Sequence, residues 1–203
     1  MATYRLKTPV SESEIRALKV NDMVYLSGIV VTARDQAHKR ALEWAKEGKP
    51  LPFNLEGLAV FHCGPVMRKQ GDEWVAVAAG PTTSTRMEVF EDEFIKIFNP
   101  RIVIGKGGMG MRTAAALQKC GGVYCAFTGG AAVLAAKSIL RVKGVEWLDL
   151  GMAEAMWIFE VDAFGPLIVA IDSRGNNVFS EVADKVEANK RLILKKFGLR
   201  TIE

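Results

Sequence analysis

Short apolar runs alternate with amphipathic stretches along most of this chain. The apolar runs have the length of β-strands and predict strands over Thr3–Thr8, Met23–Thr32, Leu58–Cys63, Trp74–Ala79, Ile102–Gly105, Val123–Ala126, Val142–Leu148, Met156–Val161 and Leu167–Asp172. In the stretches between them, apolar residues recur at helical spacing and predict helices over Ser11–Lys19, Asp35–Glu47, Met87–Phe98, Met111–Cys120, Ala131–Leu140 and Val182–Phe197. Strands that alternate with helices favour an α/β fold built around a central sheet.

Not all of the predicted strands are connected by helices. The polar turn Lys69–Asp72 lies between Leu58–Cys63 and Trp74–Ala79, and it predicts a hairpin of these two strands. Because a hairpin pairs its strands antiparallel, we expect the central sheet to be mixed rather than purely parallel. No repeat, low-complexity tract or linker interrupts the pattern, so we predict a single domain over residues 1–203.

Composition and charge narrow the class of protein. The chain is 49% hydrophobic and 25% charged, which is normal for a globular protein. No apolar run reaches the ~18 residues that a membrane span needs, and the first residues contain no apolar signal segment, so we expect a cytoplasmic protein. The net charge is +4, and the basic residues are densest over Lys185–Arg200 without interleaved aromatic residues. That run favours a solvated helix face over a nucleic-acid-binding surface.

Few residues of this chain are of the types that bind metals. The three cysteines, Cys63, Cys120 and Cys125, are odd in number and match no compact zinc or cluster spacing, so we predict neither a disulfide framework nor a metal site on this chain. We expect Cys63 and Cys125 to pack as small hydrophobic residues. His38 is predicted either to face a site or to lie on a helix surface, and His62 to be a core or subunit-contact residue.

Three predicted strand-to-helix turns each carry one cation. Arg34 follows the second predicted strand, Arg86 follows the fourth and Lys106 follows the fifth. Helix N-termini present free backbone N–H groups and a positive dipole end, and ligands gather at such junctions in α/β folds. The turn before Arg86 also contains a run of hydroxyl residues that begins at Thr82; taken alone, that run is equally typical of an ordinary helix cap.

The glycine-rich turn Gly105–Gly110 does not match the sequence motifs of nucleotide-binding sites. Its glycines permit close approach of the backbone to a ligand, but it lacks the Gly-Lys-Ser/Thr ending of a P-loop and the G-x-G-x-x-G spacing. Nothing nearby is typical of an element that binds ribose or a base. A dicarboxylate held by several cations therefore fits the three turns better than a nucleotide does.

Taken together, these turns resemble those of the class I, iron–sulfur-dependent fumarases. The resemblance is carried by Ala33–Arg40, Gly80–Met87, Lys106–Gly107, Thr128–Val133 and Val145–Ala155, and it extends from about Leu6 to Phe179. The chain is similar to one half of such an enzyme, which is the C-terminal domain of the fused form or the β subunit of the two-chain form. The L-tartrate dehydratase β subunit shares this layout.

The resemblance implies a swivelling β/β/α domain that closes over a [4Fe–4S] cluster held by a cysteine-bearing α subunit, in a dimer of αβ units. It also implies site residues. Arg34, Thr82, Arg86 and Lys106 fall at the substrate-binding positions, and Thr82 and Arg86 are expected to be catalytic. Thr85 stands where the fused enzymes usually have Gly, and Gly108 where they have Asn. Both differences leave the cations in place.

The leading hypothesis is therefore a hydro-lyase β subunit for the reversible hydration of fumarate to L-malate, a reaction of the tricarboxylic acid cycle, inactive without its α subunit. Hydration builds negative charge on one substrate carboxylate, which Arg34, Arg86 and Lys106 would stabilise. Two alternatives remain open: dehydration of L-tartrate to oxaloacetate by the same cations, and a stand-alone anion-binding module that uses the Gly105–Gly110 turn.

Overall fold

Residues 1–197 are described by the computed structural model, and the strands among them form two sheets. The strands are β1 (Thr3–Lys7), β2 (Met23–Thr32), β3 (Ala59–Phe61), β4 (Val66–Gln70), β5 (Glu73–Ala78), β6 (Ile102–Gly105), β7 (Val123–Ala126), β8 (Ile139–Glu146) and β9 (Met156–Ile171). The helices are α1 (Glu12–Ala17), α2 (Asp35–Lys46), α3 (Glu88–Phe98), α4 (Met111–Cys120), α5 (Ala132–Lys137) and α6 (Val178–Lys196). The end of the predicted basic run, residues 198–200, lies outside the described residues.

The main sheet has seven strands in the order β1-β2-β3-β6-β7-β9-β8. Strands β1, β2, β3, β6 and β7 are parallel, whereas β9 runs antiparallel to β7 and β8. Because the long strand β9 also pairs with β2, it joins the two sides of the parallel layer and gives the sheet a barrel-like form. The structure thus confirms the α/β fold class and the mixed central sheet.

Strands β3 and β6 lie in the middle of the parallel layer and are buried along their whole length. Their continuous apolar sequences suit strands that are covered on both faces. Helices α2 and α3 pack beside them, and their buried faces include the polar residues His38 and Glu91 among apolar neighbours. None of the helices in the described range combines the length and the apolar character that a membrane crossing requires.

Several sequence predictions about elements are wrong, including the end of the helix predicted over Ala131–Leu140, because Ile139 and Leu140 belong to β8. The segment Leu58–Cys63 forms no hairpin with Trp74–Ala79, because its strand β3 pairs with β2 and β6, and the hairpin is instead β4–β5. The two predicted strands from Met156 onward are one strand, β9, whose pairing with β2 is interrupted by bulges. Helix α6 begins at Val178 rather than Val182, since the side chain of Asn177 caps it by accepting from Phe179 and Ser180 N–H.

Candidate functional site

The predicted site residues lie at the C-terminal edge of the parallel strands. Arg34 follows β2, His62 follows β3 and Lys106 follows β6, and these strands are parallel neighbours. The chain from Pro81 to Ser84 runs along this edge, with isolated bridges from Pro81 to Cys63 and from Thr83 to Lys106. The turn that carries Thr82 and Arg86 therefore reaches the edge even though the strand before it, β5, belongs to the separate hairpin.

Backbone hydrogen bonds fix Thr82 and Lys106 to each other. The Thr82 N–H donates to the His62 carbonyl at 2.7 Å, and the Lys106 N–H donates to the Thr82 carbonyl at 3.1 Å. The Ser84 N–H then donates to the Lys106 carbonyl at 3.0 Å. The predicted catalytic hydroxyl and the predicted lysine are thus positioned by the main chain. Gly107 continues the turn in the left-handed region, with φ +72°, where a side chain would be strained.

The two arginines are paired with acidic side chains in this chain. Arg86 Nη2 lies 2.5 Å from Asp35 Oδ2, and its side chain is 49% exposed. Arg34 Nε lies 3.3 Å from Glu154 Oε1 but is not aligned as a hydrogen bond, so this N–H retains its donor capacity. Lys106 is exposed and forms no ion pair within residues 1–197. All three cations can therefore still bind an anionic ligand.

Arg34 is linked to the Arg86 turn through its own neighbour. Asp35, which pairs with Arg86, directly follows Arg34 at the start of α2. Gly64, just beyond β3, leaves room for the Arg34 side chain, because a Cβ on Gly64 would lie 2.5 Å from Arg34 Nη1. The structure thus brings Arg34, Thr82, Arg86 and Lys106 to one edge of the sheet. Their roles in binding and catalysis stay predictions.

A buried polar cluster, which the sequence did not predict as a unit, lies beneath these turns. Its members are His38, His62, Ser84, Glu91 and Tyr124, and each is fully buried. Glu91 Oε2 lies 3.0 Å from His62 Nε2 and 3.2 Å from His38 Nε2. His62 Nδ1 lies 2.9 Å from Ser84 Oγ, which lies 2.9 Å from the Tyr124 hydroxyl. The cluster therefore forms one continuous chain of polar contacts.

The charges in this cluster stabilise one another. Burial alone would raise the pKa of Glu91, but the two histidines outweigh it and hold the pKa well below its usual range. Burial alone would lower the pKa of His38, but the charge and hydrogen-bonding of Glu91 outweigh it and raise the pKa above 6.5. Glu91 is therefore a carboxylate, and His38 is favoured as an imidazolium.

The sequence carries a signal for this cluster in the polar residues of two apolar helix faces. His38 falls on the buried face of α2 with Ala37, Ala41 and Leu42, and it is neither exposed nor at the surface of the site. Glu91 falls similarly on the buried face of α3. A charged residue on an apolar helix face needs a buried partner, so two such faces on neighbouring helices indicate a pair.

The cysteines Cys63 and Cys125 pack as small hydrophobic residues, as predicted. Both are buried, and burial raises the pKa of the Cys63 thiol strongly and that of Cys125 to about 12. Both thiols therefore stay protonated at neutral pH, whereas metal and cluster ligation requires thiolates. Among residues 1–197, the one group of metal-ligating side chains close enough to share an ion is His38, His62 and Glu91.

Gly105 is the residue that makes room for Ser84, and we expect Gly105→Ala to be destabilising. A Cβ at Gly105 would overlap Ser84 Oγ and lie 3.2 Å from His62 Nδ1, so Ser84 would have to leave its place in the cluster. Overpacking of this kind lowers the free energy of unfolding by about 1–3 kcal/mol. Urea denaturation measures the free energy of unfolding of both variants. The control Gly144→Ala, whose Cβ would meet only Ile158 Cδ1 at 3.8 Å, should stay within ~0.5 kcal/mol of wild type.

Comparison with known proteins identifies the family. The family described as Fumarase C-terminus matches residues 2–182. The chain belongs to this family. It is 46% identical over 176 residues to the L(+)-tartrate dehydratase subunit beta of Escherichia coli (strain K12), covering 87% of this chain and 86% of that protein. It is 48% identical over 178 residues to the putative L(+)-tartrate dehydratase subunit beta of Methanocaldococcus jannaschii, covering 87% and 91%.

A longer relative matches this chain over only part of its own length. The putative fumarate hydratase class I of Geobacillus stearothermophilus is 43% identical to this chain over 178 residues, which are 87% of this chain but only 34% of that protein. The resemblance to the class I fumarases that the sequence predicted is thereby confirmed. The names of these relatives support a hydro-lyase subunit and leave open which diacid it takes.

Proposed function

We propose that this chain is the β subunit of a hydro-lyase that reversibly hydrates fumarate to L-malate in a site shared with an α subunit. The observation that carries the proposal is the convergence of Arg34, Arg86 and Lys106 with the Thr82 hydroxyl at one edge of the sheet. Three cations at one edge of the sheet supply positive charge that suits the binding of a dicarboxylate.

The arginines bind and orient the substrate carboxylates. Each guanidinium can form two parallel hydrogen bonds with a carboxylate, which fixes both its position and its plane. Arg86 already binds the Asp35 carboxylate, so a substrate carboxylate competes for its donors, whereas Arg34 Nε lies near Glu154 without a hydrogen bond and stays available. The exposed Lys106 adds a third charge without breaking an ion pair.

The same groups lower the barrier of the reaction. Addition of water across the double bond places negative charge on one carboxylate, and donors fixed in advance stabilise this charge with little rearrangement. Backbone hydrogen bonds to His62 and Lys106 fix the main chain of Thr82 at this edge, and in the proposed complex its hydroxyl contacts the diacid. We assign it to orienting a proton transfer, because a threonine hydroxyl needs an activating partner to act as a base.

The resemblance assigns the implied [4Fe–4S] cluster to the α subunit, and the two buried cysteines of this chain are poorly suited to hold one. Cys63 and Cys125 are buried, protonated thiols, so they are unsuited to act as thiolate ligands. In the proposed enzyme, the cysteines of the α subunit hold the cluster, and the β chain supplies cations and Thr82. A dimer of αβ units is the assembly that we propose.

L-tartrate is the second candidate substrate, because the bacterial and archaeal relatives above carry the name of L(+)-tartrate dehydratase. Arg34, Arg86 and Lys106 would hold the two carboxylates of tartrate in the same way. Substrate choice then depends on contacts to the hydroxyl groups, which include those made by the partner.

The test is to purify the tagged chain anaerobically from its own cells and to assay the complex with fumarate, L-malate and L-tartrate side by side. Turnover of fumarate by a complex that contains an iron–sulfur partner supports the proposal. Turnover of tartrate alone assigns the chain to the dehydratase. Binding of diacids by the isolated chain, with no partner and no turnover, would overturn the proposal in favour of an anion-binding module.

A further inference from the structure

We propose that His38, Glu91 and His62 are positioning residues that hold the three cationic turns in one arrangement for diacid binding. The identity of the ligand in this inference rests on the proposed function, whereas the network itself does not. These residues lie beneath the site, and none of them is exposed enough to touch a substrate. They act through the main chain and side chains to which they are hydrogen-bonded.

His38 holds the turn of Arg34. Its Nδ1 lies 2.8 Å from the Arg34 carbonyl oxygen, one helical turn earlier in the chain. That carbonyl oxygen also accepts the His38 backbone N–H at 2.9 Å. Because Arg34 is the first, N-capping residue of α2, these two bonds fix the point at which the chain leaves β2 and the direction in which the guanidinium starts.

His62 holds the other two turns. Its carbonyl accepts from Thr82, and its ring contacts Ser84 Oγ, so it is bonded to both sides of the turn that carries Thr82. The Tyr124 hydroxyl, 2.9 Å from Ser84 Oγ, donates to the Gly107 carbonyl at 2.9 Å, which fixes the turn after Lys106. The contact of Glu91 with both imidazoles joins these connections into one network.

The contacts of His38 favour a charged centre in the network. The Arg34 carbonyl can only accept, so His38 Nδ1 carries a hydrogen. His38 Nε2 lies 3.2 Å from Glu91 Oε2, close enough for an ion pair although it is not aligned as a hydrogen bond. The charge of Glu91 raises the pKa of His38 and favours the imidazolium form. The groups that face it are Glu91 from α3, Asp35 from α2 and the ring of His62, whose centroid lies 5.3 Å from that of His38.

A packing role alone does not account for this cluster. Burying charges is costly, and apolar residues of similar volume commonly give equal or greater stability. The network lies at the junction of α2, α3 and the ends of β3 and β6, where it reaches all three turns. The same donor atoms could also bind a divalent ion such as Zn²⁺, so metal content belongs in the test.

The first arm of the test measures the His38 ring directly. The full chain is labelled with ¹⁵N-histidine, and the ring nitrogens are observed by NMR from roughly pH 6 to 8.5. We expect one histidine to stay doubly protonated well above pH 6.5 in wild type and to become neutral in Glu91→Gln. The matched control is Glu93→Gln, which removes another carboxylate of α3, one that pairs with Lys46 of α2, and it should leave the spectrum unchanged.

The second arm measures kcat and KM in the assembled enzyme. Tyr124→Phe removes one hydroxyl and releases the Gly107 carbonyl, so kcat/KM for the diacid should fall about tenfold, mainly through KM. Tyr25→Phe, which alters a ring that stacks with Arg5 far from the site, should stay within about twofold. Glu91→Gln should also lower kcat/KM by at least about tenfold. If Glu91→Gln does not fold, the result for Tyr124→Phe alone decides this part of the test.

The outcomes separate this inference from the proposed function. An ordinary titration of His38 near pH 6.5 in wild type, or stoichiometric Zn²⁺ in the purified chain, would overturn the network. Unchanged kcat/KM in Tyr124→Phe would overturn its positioning role. If the wild-type complex turns over no diacid, the proposed function fails, while the histidine spectra still decide whether the buried ion pair exists.

Discussion

Arg86→Ala is expected to lower kcat/KM of the assembled enzyme by about 10²–10³-fold, the usual cost of removing one donor that stabilises transition-state charge. The arginine side chain is half exposed and contacts only Asp35 as an ion pair, so its loss removes little packing. Exposed ion pairs contribute about 0–1 kcal/mol to stability. The substitution should therefore affect turnover and leave the melting temperature and the assembly with the α subunit nearly unchanged.

Two further variants make this result specific. Arg86→Lys keeps the charge but loses the planar fork of donors, so we expect an activity between those of wild type and Arg86→Ala. Arg141→Ala removes an arginine that is more exposed than Arg86 and pairs with Glu160 on β9, away from the site, and should keep full activity. Activity of Arg86→Ala within tenfold of wild type, in a complex shown by size-exclusion chromatography to be intact, contradicts the assignment.

The local pattern of apolar and polar residues was sufficient to predict most of the helices and strands. Ile102–Gly105 and Val123–Ala126 are short apolar runs bounded by glycine and charged residues, and both strands have the bounds that the sequence predicted. The hairpin prediction was wrong because the choice of strand partner depends on tertiary packing rather than on local sequence. Val66–Gln70 is a polar strand whose partner is adjacent in sequence, whereas the apolar β3 finds buried neighbours on both sides. An apolar run indicates that a strand is buried, but it does not identify the strand with which it pairs.

The candidate site was predictable where its residues follow parallel strands. Arg34 and Lys106 follow β2 and β6, and strand ends of a parallel layer meet at one edge. The position of Thr82 depends on a bridge between an irregular segment and Lys106, which no spacing in the sequence encodes. The buried cluster was missed because His38, His62 and Glu91 come from separate elements and meet only once those elements pack.

Glu91→Ala is expected to cause the largest loss of stability, about 3–5 kcal/mol in the free energy of unfolding, because it leaves a buried imidazole charge without its partner. Glu91 and both histidines are fully buried, so water cannot replace the lost carboxylate. Urea denaturation followed by circular dichroism measures the loss. Glu93→Ala, which removes a partly exposed carboxylate from the same helix, should cost no more than ~0.5 kcal/mol.

The pH dependence of this loss identifies its cause. Because the pKa of Glu91 is lowered from 4.5, its contribution is complete above pH 4.5 and is lost as pH falls below that value. Because the pKa of His38 is raised from 6.5, its contribution is complete below pH 6.5 and is lost as pH rises through the raised value. The difference between wild type and Glu91→Ala should therefore be largest between pH 4.5 and 6.5 and shrink on both sides. A difference that is constant with pH would mean that Glu91 contributes through packing volume and that the buried ion pair does not form.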